Sequence, residues 1–285
     1  RNVMNIDKKY YQEINDNLTN TIQDTSIDAP NKKVGKVRDA YFLDDKVVMI
    51  STDRQSAFDR VLAAIPYKGA VLNSVSAWWF KKTEHLFPNH LISTPDPNVS
   101  MVEKCTVFPV EFVVRGYITG TTDTSLWTVY NKGDREYCGN TLPEGLKKND
   151  KLDAPMLTPT TKDKVHDRPV SRQEIIDLGL MSAEDYDIAA KMSLDLFAFG
   201  QETAKNNGLI LVDTKYEIGT DSSGKIKFVD EIHTPDSSRF WISDSYKERI
   251  DAGQEPENID KEFLRLWFAK NCDPYNDCLL YTSDA

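Results

Sequence analysis

Apolar positions along the chain change spacing several times, and each change marks an element. Tyr11, Ile14, Leu18 and Ile22 recur at helical intervals, which predicts an amphipathic helix near the start. Shorter apolar runs follow at Val34 and Val37, at Tyr41 to Leu43 and at Val47 to Ile50. They read as short strands, with Asp44-Asp45 turning one into the next. A second helix is expected from about Leu72 to Leu86, carrying Trp78 and Trp79, and Glu111 to Tyr117 reads as a buried strand. From Cys138 to His166 the chain is rich in Gly, Pro, Thr, Asp and Lys and reads as a long irregular excursion. Ser171 with Glu174 forms a capping-box pattern, and Ser182 with Asp185 opens a helix running to about Asn206, closed by Gly208. Leu209 to Thr220 and Lys225 to Ile232 read as two strands around an Asp-Ser-Ser-Gly turn, and Lys261 to Lys270 as a last helix. Strands cluster early and late with helices between them, which predicts an α+β fold rather than a βαβ repeat.

Composition narrows the function. The 285 residues are 40% hydrophobic, enough for one large core or two smaller ones. A net charge of −10 repels polyanions, so no nucleic-acid partner is expected. No run of apolar residues is long enough to span a membrane. The first residues lack the apolar stretch of a secretory signal, which points to a cytoplasmic protein, and Arg1 in place of Met suggests a fragment or a processed start. Cys105, Cys138, Cys272 and Cys278 form no CxxC pair, which speaks for free thiols over zinc ligation.

The densest chemistry lies in LVDTKYEIG, residues 211–219. Alternate side chains of a strand share a face, so Asp213, Lys215 and Glu217 are expected together, opposite Val212, Tyr216 and Ile218. A turn at DSSG would pair Thr220 with Lys225, setting Lys215 opposite Asp230 and Glu217 opposite Phe228. Three carboxylates around one ammonium fit either a solvated charged face or a divalent cation of the magnesium type. In DEIHTPDSSRFW, a loop past Asp230 is expected to present Ser237, Ser238 and Arg239, the last suited to bidentate recognition of phosphate or carboxylate.

A basic strand and three polar loops add further candidates. GKVRDAY is expected to place Lys36 and Arg38 on one face of a short strand, with Gly35 allowing close approach, though no Walker A loop is present. STDRQSAFDR, which includes Asp59, reads as a strand-end loop. After Arg115, Gly116 and Gly120 are expected to permit tight turns before Thr121 and Thr122. TPTTKDKVHD adds Lys162 and His166.

GKVRDAY, DRQSAFD, IPYKG, VEFVVRGYITG, TPTTKDKVHD, LVDTKYEIG and DEIHTPDSSRFW occur in the order seen in the SAICAR synthetase family, which the chain resembles over roughly residues 33–277. The resemblance implies a two-lobed α+β fold with antiparallel sheets and an ATP cleft between the lobes. It implies an ATP-phosphate lobe at 1–103 and a metal and substrate lobe at 104–277. The activity it implies is an ATP- and Mg²⁺-dependent ligation of L-aspartate to carboxyaminoimidazole ribotide (CAIR), giving SAICAR, ADP and phosphate in purine biosynthesis.

By the same resemblance Gly35, Lys36 and Arg38 would meet the ATP phosphates, with Glu103 and Lys104 near the adenine. Glu217 and Asp230 would ligate magnesium. Arg115, Thr121, Ser238 and Arg239 would hold the ribotide, and Asp59, Lys162, Asp213 and Lys215 would surround the reacting groups. Thr121 replaces the serine common in the family but keeps its hydroxyl. The tail CLLYTSDA, residues 278–285, departs from the family pattern and reads as foreign sequence. The other readings are a kinase-like phosphotransferase, for which no HRD or DFG pattern is present, and an inactive nucleotide-binding homologue.

Overall fold

The computed structural model describes residues 8–58, 60–162 and 168–271. Asp59, His166, Cys272, Cys278 and the tail 278–285 lie outside the described residues. In chain order the elements are α1 (Lys8–Asp16), β1 (Lys32–Val34), β2 (Arg38–Phe42), β3 (Lys46–Ser51), β4 (Arg54–Ala57), β5 (Arg60–Ala64), α2 (Lys68–Thr83), β6 (Leu91–Asp96) and β7 (Val99–Glu103). There follow β8 (Thr106–Tyr117), α3 (Leu126–Asn131), β9 (Glu136–Tyr137), β10 (Asn140–Thr141), β11 (Lys151–Leu157), β12 (Thr160–Thr161), α4 (Arg172–Asp177) and α5 (Ala183–Lys205). The last are β13 (Leu209–Thr220), β14 (Ile226–Val229), β15 (Ser238–Ile242), α6 (Ser243–Asp251) and α7 (Glu262–Asn271).

The chain divides into two compact units. The first holds residues up to Trp78, Leu91–Lys104 and the chain from Trp267; the second holds Trp79–His90 and Cys105–Leu266. In the first, an antiparallel sheet runs β1-β2-β3-β7-β6, and β4 pairs with β5. Tyr41 and Ile50 are buried on one face of that sheet, Val47 and Val102 on the other. In the second, the sheet runs β11-β8-β13-β14, with β12 also on β8 and β15 also on β13.

The centre of the second unit follows from strand alternation. On β8 and β13, Phe112, Val114, Tyr216 and Ile218 are all fully buried on one face, whereas Val212, expected with them, lies at a bulge after Leu211 and packs with Tyr117 and Trp241. Helix α5 covers this face: its Tyr186 ring lies 5.6 Å from that of Phe112, and its buried Ala189, Leu196 and Phe197 form the apolar stripe. Ser182 caps α5 by accepting from the Asp185 N–H, and the Ser171–Glu174 capping box is complete at α4. The residues between these apolar ones point the other way, and they are the charged ones.

Several elements differ from the sequence expectation for identifiable reasons. Helix α1 ends at Asp16, because the backbone of Ile22 is claimed by Asp53: its N–H donates to the Asp53 carboxylate at 2.9 Å and its carbonyl accepts the Asp53 N–H. Lys36 lies in the turn between β1 and β2, so it does not share a strand face with Arg38. The stretch after Ser51 is no loop; it forms β4, buried along its length and paired with β5. Gly116 lies inside β8, where a Cβ would fall 2.7 Å from the Gln201 side-chain nitrogen of α5. The polar excursion after Cys138 contains β10, β11 and β12, the last two hydrogen-bonded to β8 as its outer neighbours. Such one-sided strands show little apolar alternation.

Behind the sheet, on the α5 side, sits His233. It is 1% exposed, shares a 2.5 Å hydrogen bond through Nε2 with the Tyr216 hydroxyl and meets Trp79 edge-on at 4.5 Å. Burial holds its imidazole at about 3, far below the ordinary 6.5. Between those values the unfolded chain binds a proton that the folded chain excludes, so stability rises with pH across that window. Acidification from pH 6.5 towards 3 should therefore lower the stability of this unit, by up to about 1.4 kcal/mol per pH unit from this group. Denaturant titrations at stepped pH check this, and His233→Gln should flatten the dependence.

Candidate functional site

The charged face of the second sheet is built by register. On β13 and β8, Glu217 pairs with Glu111, Lys215 with Val113 and Asp213 with Arg115; on β15, Arg239 pairs with Asp213. Paired residues point to one side of the sheet. Asp213, Lys215, Glu217, Glu111, Arg115 and Arg239 therefore share the face opposite α5. Glu111 was missed in the sequence, although the alternation Glu111, Val113, Arg115 is legible there.

Two charge clusters divide this face. In the first, the Lys215 ammonium donates to Glu111 Oε1 at 2.6 Å and lies 3.5 Å from Glu217 Oε1, while Lys162 pairs with the other oxygen of Glu217. Burial works against the Lys215 charge, but Glu111, Glu217 and Asp230 outweigh it and raise its pKa above the ordinary lysine value. Lys215 is an ammonium at neutral pH and cannot serve as a base. In the second, Asp213 accepts from Arg239 Nη1 at 2.5 Å and lies 3.7 Å from Arg115 Nη1. Arg115 also donates from Nε to the Thr158 hydroxyl at 2.8 Å.

Asp230 reaches the first cluster by a route other than the expected pairing. The hairpin loop spans residues 221–225, so Thr220 pairs with Ile226 and Glu217 with Val229, one residue away from the expected register. Asp221 imposes this. Its carboxylate accepts from the N–H groups of Ser223 at 2.9 Å and Lys225 at 3.0 Å, and pairs with Lys227 at 2.9 Å. Continued as a strand, that register would turn Asp230 to the Tyr216 side. Instead β14 ends at Val229, Asp230 takes a left-handed φ of 63°, and its charge still acts on Lys215.

Ser238 and Arg239 stand on β15, not in a loop, and so point to opposite faces. Ser238 pairs with Thr214, and the two hydroxyls lie 2.7 Å apart on the α5 side, away from the Arg239 guanidinium. Thr121 follows β8 and borders a small recess with Lys148, Arg239, Trp241 and Glu262. Gly120 leads into it with φ 106°, and a Cβ there would fall 2.4 Å from the Ser125 Cβ.

In the first unit, Gly35 and Lys36 form a turn held from beneath. Arg54, 9% exposed, donates from Nη2 to the Gly35 carbonyl at 3.0 Å and from Nε to the Lys36 carbonyl at 3.1 Å. Its Nη2 also meets Asp39 Oδ1 at 2.7 Å. Asp39 is fully buried; burial opposes its ionisation, but Thr25, Arg54 and Lys32 hold its carboxyl below the ordinary range. Glu103 closes β7 opposite Lys46, and the Lys104 N–H donates to the Asp45 carbonyl at 3.0 Å.

An antiparallel α+β sheet with one face sealed by a helix and the other lined by paired carboxylates and cations belongs to the class of enzymes that handle anionic substrates through fixed charge. A family model described as SAICAR synthetase matches residues 31–280. The phosphoribosylaminoimidazole-succinocarboxamide synthase of Legionella pneumophila (strain Lens) is 61% identical over 259 residues, 91% of this chain and 83% of that protein. Among solved structures, the SAICAR-synthase of Saccharomyces cerevisiae complexed with SAICAR matches with a TM-score of 0.75 and 34% identity over 88% of each chain. A type-2 SAICAR synthetase in complex with ADP matches with a TM-score of 0.68 and 27% identity, over 85% of this chain and 91% of that one. The chain belongs to the SAICAR synthetase family.

Removing the Asp39 carboxylate leaves the Arg54 guanidinium buried and uncompensated. Asp39→Ala should destabilise the first unit by about 3–5 kcal/mol, read as a shift of its denaturant midpoint.

Proposed function

We propose that these clusters divide the work of an ATP-dependent carbon–nitrogen ligase. The chain condenses L-aspartate with CAIR, and the products are SAICAR, ADP and phosphate. Family membership and 61% identity to a synthase of that name support the activity, and the ADP complex of a relative supports the use of ATP.

A carboxylate is a poor acyl donor because its leaving group would be oxide. Transfer of the terminal phosphoryl group of ATP to a carboxylate oxygen of CAIR releases ADP and gives an acyl phosphate. The aspartate amine then attacks the carbonyl carbon, the C–N bond forms, the C–O bond to phosphate breaks, and the amine loses its proton. Such transfer needs positioning and neutralised charge more than a protein nucleophile. Lys215, held as an ammonium by its carboxylate neighbours, supplies fixed positive charge. Lys162, paired with Glu217, adds a second cation to that cluster. Lys36, on a turn whose backbone Arg54 fixes, and Arg38, at the start of β2, serve the phosphates of ATP.

Arg115, Arg239 and Thr121 bind the ribotide phosphate. Asp213 holds the first two in place; with both guanidiniums beside it, it acts as a positioning residue more than an acid or base. Glu217 and Asp230 fit magnesium, since both offer hard carboxylate oxygens and the ion takes one or two such ligands beside substrate phosphates. When bound, it would offset the negative charge of the triphosphate. The single observation that carries this reading is the meeting of Glu111, Lys215 and Glu217 on one sheet face, with the charge of Asp230 acting on the same ammonium.

A coupled ADP-release assay tests the whole. Sustained ADP release should require CAIR, aspartate and Mg²⁺ together, and many turnovers without aspartate would indicate another acceptor. Glu217→Ala should lower kcat by about a hundredfold or more, the size of losing one fixed transition-state contact. Full turnover in that variant would refute the metal assignment.

A further inference from the structure

The recess beside Thr121 already contains an anion, and it belongs to the protein. Glu262, the first residue of α7, is only 5% exposed. One oxygen accepts from the Thr121 hydroxyl at 3.1 Å; the other accepts from Arg265 Nη1 at 3.1 Å and lies 3.4 Å from Arg239 Nε. Its backbone N–H donates to Asp260 at 2.7 Å, which fixes where the side chain starts. Burial opposes its ionisation, but Arg239 and Arg265 outweigh that and hold the carboxyl below the ordinary range. The Nε–H groups of Arg239 and Arg265 are buried and find no hydrogen-bond acceptor among the described residues. Thr121 and Arg239 line the recess with Glu262, and the one carboxylate satisfies only part of their donors.

We propose that Glu262 is a specificity-determining residue, an internal counter-ion that holds the guanidiniums and the Thr121 hydroxyl in place and that the substrate phosphate must displace to bind. The proposal rests on the reading that this recess takes the ribotide phosphate. A phosphate dianion brings more charge and more acceptor atoms than the carboxylate, so it can also serve the unsatisfied Nε–H of Arg239, which lines the recess. A singly charged ligand gains less from the exchange. Glu262 therefore lowers the affinity for every anion but discriminates in favour of the phosphorylated one. Asp213 keeps Arg239 oriented when Glu262 swings away.

The test compares wild type with Glu262→Gln, Glu262→Asp and Arg239→Gln, using KM values for CAIR, ATP and aspartate and competitive inhibition by inorganic phosphate. Glu262→Gln keeps the shape and the acceptor for Thr121 but removes the charge. It should lower both the KM for CAIR and the inhibition constant of phosphate by about fivefold, the size of one partly screened contact between like charges. The kcat and the other two KM values should stay unchanged, a split that a merely structural defect would not produce. Glu262→Asp, which pulls the carboxylate back from Thr121, should shift the same values in the same direction by less, and it serves if the glutamine variant fails to fold. Unchanged or weaker CAIR and phosphate binding in the Glu262 variants, with a raised KM for CAIR in Arg239→Gln, overturns the role given to Glu262 alone. No effect in any of the variants overturns the phosphate reading of the recess as well.

Discussion

The second unit depends on one constraint: strand β13 must present two incompatible faces within a single backbone. Tyr216 and Ile218 are buried under α5, while Asp213, Lys215 and Glu217 project the other way. The apolar face fixes the register, since a slip of one residue on β8 would carry charges under the helix. Burial of hydrocarbon on one side thus aligns the ionic groups on the other to the precision of a strand pair. Every charge on that face has at least one partner of opposite sign, as partly desolvated charges require.

The same logic explains how the cations are held. Lys215 is surrounded by carboxylates from β8, β13 and the end of β14, and Arg239 by Asp213 and Glu262. Neither can lose its proton at neutral pH, so both act as fixed electrostatic elements and not as acid–base groups. In the first unit the turn at Gly35 and Lys36 is set by its backbone. Arg54 binds two consecutive carbonyls, while its own charge is satisfied by the buried Asp39.

Much of this was legible in the sequence wherever periodicity was strong. Strand β13, helix α5 with its serine cap and the shared face of Asp213, Lys215 and Glu217 follow from alternation and capping alone. The α+β class follows from the order of elements. Long-range pairing was not legible. Glu111 joins Lys215 across more than a hundred residues of chain, and local spacing carries no sign of that. The hairpin register was misjudged because the Asp221 carboxylate enlarges the turn by collecting backbone N–H groups. Ser238 was grouped with Arg239 because adjacent polar residues resemble a loop, whereas β15 sends them to opposite faces.

The left-handed backbone at Asp230 separates two properties that a regular hairpin would bind together. In a continuous strand, inserting or deleting a residue at the tip would rotate every later side chain through half a turn. Here the carboxylate hangs from a break in the ladder and takes its direction from its own torsion angles. The enlarged turn and this break act together, since the turn alone would send the acidic group to the Tyr216 side. A β-branched side chain at that φ would be forced out of its allowed region.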